Sequence, residues 1–411
     1  MRFRHGEAGD VRGLARLWVQ AFPGERTVAD RVAQLETGVP YGGLETAWLL
    51  EDRGRLAGAF RAYPLRQYLA GASVPMLGLA AVATSPAYRR RGVARELCRH
   101  ALRLGRERGD LVSVLYPFRP SFYRALGWGV AGELHSYRFA PGALPAYDEA
   151  ARVRAGEEGD LGEVMACYAR VAARSNGLIE RDNRIWAYHF DRSGVYPYIF
   201  EGNGVSGYLL ARFGAGQAPG AGVLTVLELV AEDDVAYRGL LGWISLQRDQ
   251  VREVRYDARV DEHFEFRLSE PRPPGFQPVR ALWYPGARRI RGPMLRIIDL
   301  PGVLEARTSW GVGEDESFTW VLEVEDAELP ENGGAWTLTV DGGAMRVRRG
   351  VDGRAAEALL ATNMATFAEI FTGSIAPSAA VRLGLARGEG ALGRLDRLFA
   401  ATSPFWLLDE F

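Results

Sequence analysis

Residues 77–98 read LGLAAVATSPAYRRRGVARELC, and the part from Arg89 to Ala94 has the residue types that bind phosphates. Arg89, Arg90 and Arg91 supply guanidinium groups, which hold phosphate oxygens through paired hydrogen bonds. Gly92 and Ala94 keep bulk away from the backbone, and Val93 opens the apolar stripe of a helix. At a helix start the free amides and the dipole both favour an anion. Arginines there oppose the dipole, so three of them gain little unless an anion is bound. An arginine-rich helix start with no ligand is the alternative reading.

This chemistry needs a strand, a turn and a helix in that order. Met76–Thr84 is an apolar run ended by Ser85-Pro86, which predicts a buried central strand. Val93, Leu97, Ala101 and Leu104 predict a helix over Val93–Leu104, and Leu111–Tyr116 is a second apolar strand stopped by Pro117. Upstream, Arg2–His5 reads as a short strand. Asp10 is a natural N-cap for a helix carrying Val11, Leu14, Leu17, Trp18 and Phe22. Thr46–Glu51 and Leu56–Ala62 flank Arg53-Gly54 as a hairpin. From about residue 295 the character changes. Phe318–Val324 and Trp336–Val340 read as strands, Asp341-Gly342-Gly343 as a turn before Met345–Val347, and Ala355–Ala361 and Ala365–Phe371 as helices.

The 411 residues have 50 basic and 51 acidic side chains, a net charge of -1, and all the basic ones are arginine. Schiff-base and P-loop lysines are thereby excluded, and a balanced charge points away from nucleic acid and anionic membranes. Cys98 and Cys167 are too few for a disulfide framework. His5, His100, His135, His189 and His263 are scattered without ligand spacing, so no metal is expected. The start MRFRHGEAGD has no apolar segment, and no run of about 18 apolar residues occurs, so a cytoplasmic protein is expected.

An internal repeat organises the chain. RFRHGEAGDV at 2–11 returns as RVRAGEEGDL at 152–161, and Ala87-Tyr88-Arg89 returns as Ala236-Tyr237-Arg238. With Pro/Gly-rich segments near 145 and 290, three parts follow: 1–145, 146–290 and 291–411. In the second copy, Arg238-Gly239-Leu240-Leu241-Gly242 lacks the arginine cluster and its spacing, so its fold is expected to be kept and its phosphate site lost.

The pattern Arg-x-x-Gly-x-Ala in this strand–turn–helix setting resembles the pyrophosphate loop of the GNAT acetyltransferase superfamily. The resemblance implies acetyl-coenzyme A as donor, held by Arg89, Arg90, Arg91, Gly92, Val93 and Ala94. Ala81, Val82 and Ala83 would then present backbone N–H and C=O groups to the thioester and the pantetheine arm, or serve as plain core strand. Phe122-Tyr123-Arg124-Ala125-Leu126-Gly127-Trp128 is similar to the GNAT segment whose tyrosine lies near the sulfur. A leaving thiolate needs a proton, and a phenol with pKa about 10 is protonated at pH 7. Tyr123 is therefore the expected general acid; packing beside Phe122 and Trp128 is its bland alternative.

The whole chain resembles the Eis (enhanced intracellular survival) family. That resemblance implies an α/β fold with mixed sheets: an active GNAT domain, a degenerate GNAT-like domain and an α+β domain resembling a sterol carrier protein. It also implies acetylation of primary amines, aminoglycosides among them, a homo-hexamer, and a general base formed by the chain's terminal carboxylate. Here the tail is Pro404-Phe405-Trp406-Leu407-Leu408-Asp409-Glu410-Phe411, apolar enough to be buried, which offers the carboxylate of Phe411. An ordinary docked terminus is the alternative. A polycationic acceptor needs acidic and aromatic walls, for which Phe22, Glu25 and Glu410 are the candidates, with Asp409 behind them. Two rival readings are a lipid or sterol carrier, which requires an apolar tunnel in the last part, and a non-catalytic acetyl-coenzyme A sensor.

Overall fold

The computed structural model describes the chain except at residues 25, 191, 217–221, 273, 276–283, 309, 311–315, 352–355 and 402. The chain forms two compact units. One comprises Met1–Gly132, Asn176–Glu180 and Gly292–Phe411, the other Glu133–Ser175 and Arg181–Arg291.

The first unit begins with β1 (Arg2–His5), α1 (Val11–Ala21), α2 (Val28–Thr37), β2 (Ala47–Asp52), β3 (Arg55–Leu69) and β4 (Ala72–Thr84). It continues with α3 (Val93–Arg108), β5 (Val112–Leu115), α4 (Pro120–Arg124) and β6 (Gly129–Val130). The β2–β3 hairpin turns on Arg53 and Gly54, both at positive φ (51° and 73°), the two-residue turn that matches strand twist. Helix α3 buries Val93, Leu97 and Ala101 of the expected stripe together with Cys98 and Leu102, while Leu104 is half-buried. Asp10 sits at the N-cap of α1 but does not cap it. Its carboxylate instead accepts from the Glu7 amide at 2.8 Å and from both Nη atoms of Arg4 at 2.6 and 2.8 Å, while Arg4 also reaches Glu51 at 2.6 Å.

In the second unit the strands are β7 (Glu133–Phe139), β8 (Val153–Ala155), β9 (Tyr196–Gly202), β10 (Gly204–Ala215), β11 (Gly222–Ala231), β12 (Val251–Arg259) and β13 (Arg288–Arg291). Its helices are α5 (Leu161–Ala172), α6 (Asn183–Phe190) and α7 (Asp234–Ser245), and its sheet runs β13-β7-β12-β11-β10-β9-β8. The first sequence repeat proves to be a repeated clamp. Arg154 holds Asp160 at 2.7 Å through both Nη atoms and Glu201 at 2.6 Å, and the Glu157 amide donates to Asp160 at 2.7 Å. The second echo is not structural. Tyr88 lies in a turn ahead of α3, whereas Tyr237 lies inside α7.

The chain then re-enters the first unit. Strand β14 (Met294–Ile297) pairs with β5 (Met294↔Leu115 to Ile297↔Val112) and with β6, giving the order β1-β2-β3-β4-β5-β14-β6. Sheet membership therefore changes after Gly132 and Arg291, so β7 falls in the second sheet although it precedes the boundary expected near 145.

The remainder adds α8 (Leu300–Ala306), β15 (Phe318–Glu325), β16 (Gly334–Asp341), β17 (Ala344–Arg349), β18 (Ala358–Asn363), α9 (Met364–Phe371), α10 (Pro377–Arg382), β19 (Ala386–Gly390) and α11 (Leu392–Leu398). These strands form a mixed sheet, β17-β16-β15-β18-β19. The helix expected over Ala355–Ala361 is a correction: residue 355 is outside the described residues, and the rest runs into β18, parallel to β15 and antiparallel to β19. Pairing on both edges and burial of the strand override the helix propensity of Ala and Leu. Arg296 of β14 pairs with Asp326 at 2.6 Å, both side chains buried, and Arg99 of α3 reaches Glu328 at 2.6 Å. These ties fix the third sheet to the elements that carry the site.

Candidate active site

The site starts from an irregularity in β4. Its register with β3 slips between Ala59/Ala83 and Arg61/Ala80, so Ala81 and Val82 oppose Phe60 alone. Ala81 takes φ +50°, and its carbonyl accepts from the Trp18 indole at 2.8 Å. Such a bulge turns backbone groups out of the ladder. On the other edge, β4 pairs with β5 only from Met76↔Val112 to Gly78↔Val114. Beyond Gly78 the two strands part, and the β5-facing edge of Leu79–Thr84 is free for a ligand's polar chain. The Ala81 carbonyl is already engaged and Ala83 is buried in register with Ala59, so Val82 and the Ala81 amide remain the freer groups of the three.

The arginine turn follows this strand. Arg89 is extended, Arg90 takes φ +60° and Gly92 φ +80°, which delivers the chain into α3. No side chain caps this helix; its first bond runs from the Glu96 amide to the Gly92 carbonyl at 3.1 Å. The amides ahead of it therefore have no intrahelical acceptor. Arg89, Arg90, Arg91 and Gly92 are exposed, and a Cβ placed on Gly92 would meet nothing within 4 Å. Ala94, on the first turn, is half-buried, and Val93 is buried against the sheet. An open, uncapped helix start beneath three guanidinium groups suits a diphosphate.

Tyr123 lies on α4, just after β5. It is buried, with Phe118, Phe122 and Trp128 edge-on to its ring at 5.6, 5.0 and 6.0 Å. Among the described residues no hydrogen bond is made by its hydroxyl. Burial, with Cys98 nearby, pushes its pKa well above the ordinary phenol value, so it is a neutral donor at physiological pH. Burial likewise raises the Cys98 thiol to about 12, which removes it as a nucleophile.

The tail enters this region along a defined path. The Trp406 amide donates to the Asn176 carbonyl at 2.7 Å, and Phe405 bridges to Asn176. Asp409 is fully buried: its carbonyl accepts from the Tyr116 hydroxyl at 2.9 Å and its Oδ1 from the Tyr41 hydroxyl at 3.1 Å. The Phe411 ring then sits among Tyr41, Tyr116 and Tyr63 at 5.8, 6.0 and 6.3 Å. A Cβ added to Gly78 would lie 3.3 Å from this ring, so Phe411 stands where β4 and β5 separate.

Of the acceptor candidates, Glu410 is exposed and is a charged neighbour of Tyr116, Phe22 is exposed at the C-cap of α1, and Glu25 lies outside the described residues. Sequence reasoning missed Tyr41, Tyr63, Tyr116 and Gly78. No local pattern singled them out, since the tail that unites them lies some 300 residues or more away.

Among its described residues the second unit lacks these features. Only Glu232 and Asp233 separate β11 from α7, and the Asp233 side chain caps the helix by accepting from the Ala236 amide at 2.8 Å. Gly239 and Gly242 lie within α7 and pack on Phe200 and on Tyr147 and Ala150. Acids at the helix start repel a phosphate. In the third sheet the interior is filled by Phe318, Trp320, Leu322, Leu338, Leu360, Phe367 and Phe399. The hollow of about 620 Å³ at the ends of its strands has a mixed lining, with the charged Glu323, Glu325, Asp326 and Arg387 beside the apolar Val324, Ala361 and Leu385.

Residues 2–131 and 177–297 each match an acetyltransferase (GNAT) domain family, and 300–407 match a sterol carrier protein domain. The N-acetyltransferase Eis of Mycobacterium tuberculosis is 28% identical over 356 residues, covering 82% of this chain and 81% of that protein. An uncharacterised N-acetyltransferase of Streptomyces coelicolor is 27% identical over 360 residues, covering 83% and 82%. A GCN5-related N-acetyltransferase structure from Anabaena variabilis shares the fold over 100% of both chains with TM-score 0.84 at 23% identity. The Eis1 structure from Mycobacterium abscessus does so over 100% of both with TM-score 0.79 at 21% identity.

Proposed function

Because the chain belongs to the Eis-like GNAT acetyltransferases, we propose that it moves the acetyl group of acetyl-coenzyme A onto a primary amine by direct attack. The observation that carries this reading is the convergence, at the parting of β4 and β5, of the bulged strand, the uncapped arginine turn and the Phe411 tail. Arg89, Arg90, Arg91 and the amides from Gly92 to Ala94 hold the diphosphate, and the β4 edge aligns the pantetheine arm. The amine nitrogen attacks the thioester carbon and gives up one proton to the Phe411 carboxylate. The carbon–sulfur bond then breaks, and Tyr123 donates one proton to the leaving thiolate. Solvent returns the proton from carboxylate to phenolate, so the enzyme ends as it began. With both thiols inert, no acetyl-enzyme is needed.

Aminoglycosides, which carry several primary amines, belong in the first acceptor panel, and we propose a homo-oligomer, a hexamer by family resemblance, as the working assembly. No helix among the described residues is long and apolar enough to cross a membrane. The test is thiol release from acetyl-coenzyme A over an amine panel. Tyr123→Phe and removal of Phe411 should each lower kcat by about 10²- to 10⁴-fold with little change in acetyl-coenzyme A KM. Full turnover in both variants would refute these roles. Tight coenzyme binding without acetylation of any amine would favour a sensor.

A further inference from the structure

Two tyrosines of the Phe411 cage stand in opposite electrostatic surroundings. The charged neighbours of Tyr116 are Glu410 and Asp409, both anionic. Those of Tyr63 are Arg61, Arg31 and Arg26, all cationic. The backbone explains the second group. Arg61, buried on β3, lies over the Tyr63 ring at 4.8 Å and donates to Thr46 Oγ1 and to the carbonyls of Gly42 and Gly43. Gly43 packs so tightly on α2 that a Cβ there would lie 2.6 Å from the Leu35 carbonyl. Arg31 stands one turn before Leu35, on the same face of that helix.

Among the described residues the nearby acids already have partners. Asp30 accepts from the Thr27 amide at 2.7 Å, and Glu45 from the Gly43 amide at 2.7 Å. Arg31 is different: its hydrogen bond goes to Gln34 at 3.2 Å, and its Nε is buried with no acceptor among the described residues. An unmatched buried donor is costly, and the like charges of Arg26 and Arg61 add to that cost. A bound anion relieves both.

We propose that the acceptor amine carries an anionic oxygen group, a carboxylate or a phosphate, bound by Arg31 on the Tyr63 side, while its amine lies on the Tyr116 side beside Glu410. This rests on the acetyl-transfer reading and narrows its acceptors to amines with opposite charges at their two ends.

The test uses the full chain, acetyl-coenzyme A and matched acceptors: γ-aminobutyrate against putrescine, phosphoethanolamine against ethanolamine, and an aminoglycoside as polycation. An acidic member should exceed its partner in kcat/KM, and which acidic member does so tells carboxylate from phosphate. Arg31→Gln should raise the KM of the preferred acceptor about tenfold to a hundredfold and leave that for acetyl-coenzyme A unchanged. Preference for the diamine or the aminoglycoside, or an Arg31→Gln variant with the same ratio, overturns the proposal. Calorimetry on protein saturated with coenzyme A gives a readout independent of turnover. γ-Aminobutyrate or phosphoethanolamine should bind the wild type and not Arg31→Gln, and no binding of either overturns the proposal. Binding that depends on Arg31 without acetylation of any amine would sustain it and count against the transfer reading alone.

Discussion

Tyr116→Phe asks whether the placement of the tail governs turnover. The Tyr116 hydroxyl donates to the Asp409 carbonyl at 2.9 Å, and its ring faces Phe411 at 6.0 Å. Phenylalanine keeps the ring and removes only the donor. Leaving one buried carbonyl unmatched costs about 1–3 kcal/mol. The Tyr41 bond to Asp409 at 3.1 Å and the Trp406 amide bond to Asn176 at 2.7 Å persist, so the tail is loosened rather than released. The lower part of the range, about 1–2 kcal/mol, corresponds to about a 5- to 30-fold change in an equilibrium. Steady-state thiol release should show kcat reduced by that factor, with the KM for acetyl-coenzyme A within about twofold of wild type. In a chain lacking Phe411, the same substitution should add almost nothing, because the two changes act through one group. A full additional loss in that background would refute the reasoning. So would a comparable rise in acetyl-coenzyme A KM.

Gly92→Ala places a Cβ at φ +80° in otherwise open space, so it should cost about 1–2 kcal/mol of local strain and weaken coenzyme A binding, measured by calorimetry, more than it lowers Tm. Glu228→Ala removes the carboxylate that meets Arg181 at 2.9 Å through both oxygens, with both side chains buried. It should destabilise the second unit by about 3–5 kcal/mol in denaturant unfolding while leaving acetyl-coenzyme A KM unchanged. Asp10 is held below its ordinary pKa, chiefly by Arg4. Its contribution is therefore present above the unfolded value of about 3.9 and is lost as pH falls through the lower folded value. Asp10→Asn should lower Tm at neutral pH, and the difference should vanish in acid; a constant difference would exclude the clamp. Tyr123 has a raised pKa and must be protonated to act, so kcat should not fall on its account until above pH ~10.

The strand, arginine turn and helix of the site were readable because they are contiguous: apolar run, breaker, cluster and stripe follow one another within 22 residues. Tyr123 was readable for the same reason. The cage was not, because Tyr41, Tyr63 and Tyr116 look like ordinary strand and loop aromatics until Asp409 and Phe411 arrive from the far end of the chain. The Arg-x-Gly-Glu-x-Gly-Asp repeat was visible as letters, but its cause, a guanidinium closing the turn into a helix in each unit, appeared only in the structure. The Tyr237 echo misled because identity of three letters carries no geometry. The 355–361 stretch misled because strand pairing, invisible in local propensity, decided its conformation. Local pattern likewise cannot say which sheet a short strand will join, so the destinations of β7 and β14 were beyond it.

Strand β14 bears on how the protein is made. Residues 294–297 pair with β5 and residues 294–295 also with β6, so a nascent chain cannot close the sheet beneath the arginine turn until the second unit has already left the ribosome. A gene fragment ending at the second unit's first helix would leave one edge of β5 bare, exposing an aggregation-prone strand. Modular dissection of this chain by simple truncation is therefore a poor route to a minimal enzyme; a permuted or fused design that restores the returning strand is the rational one.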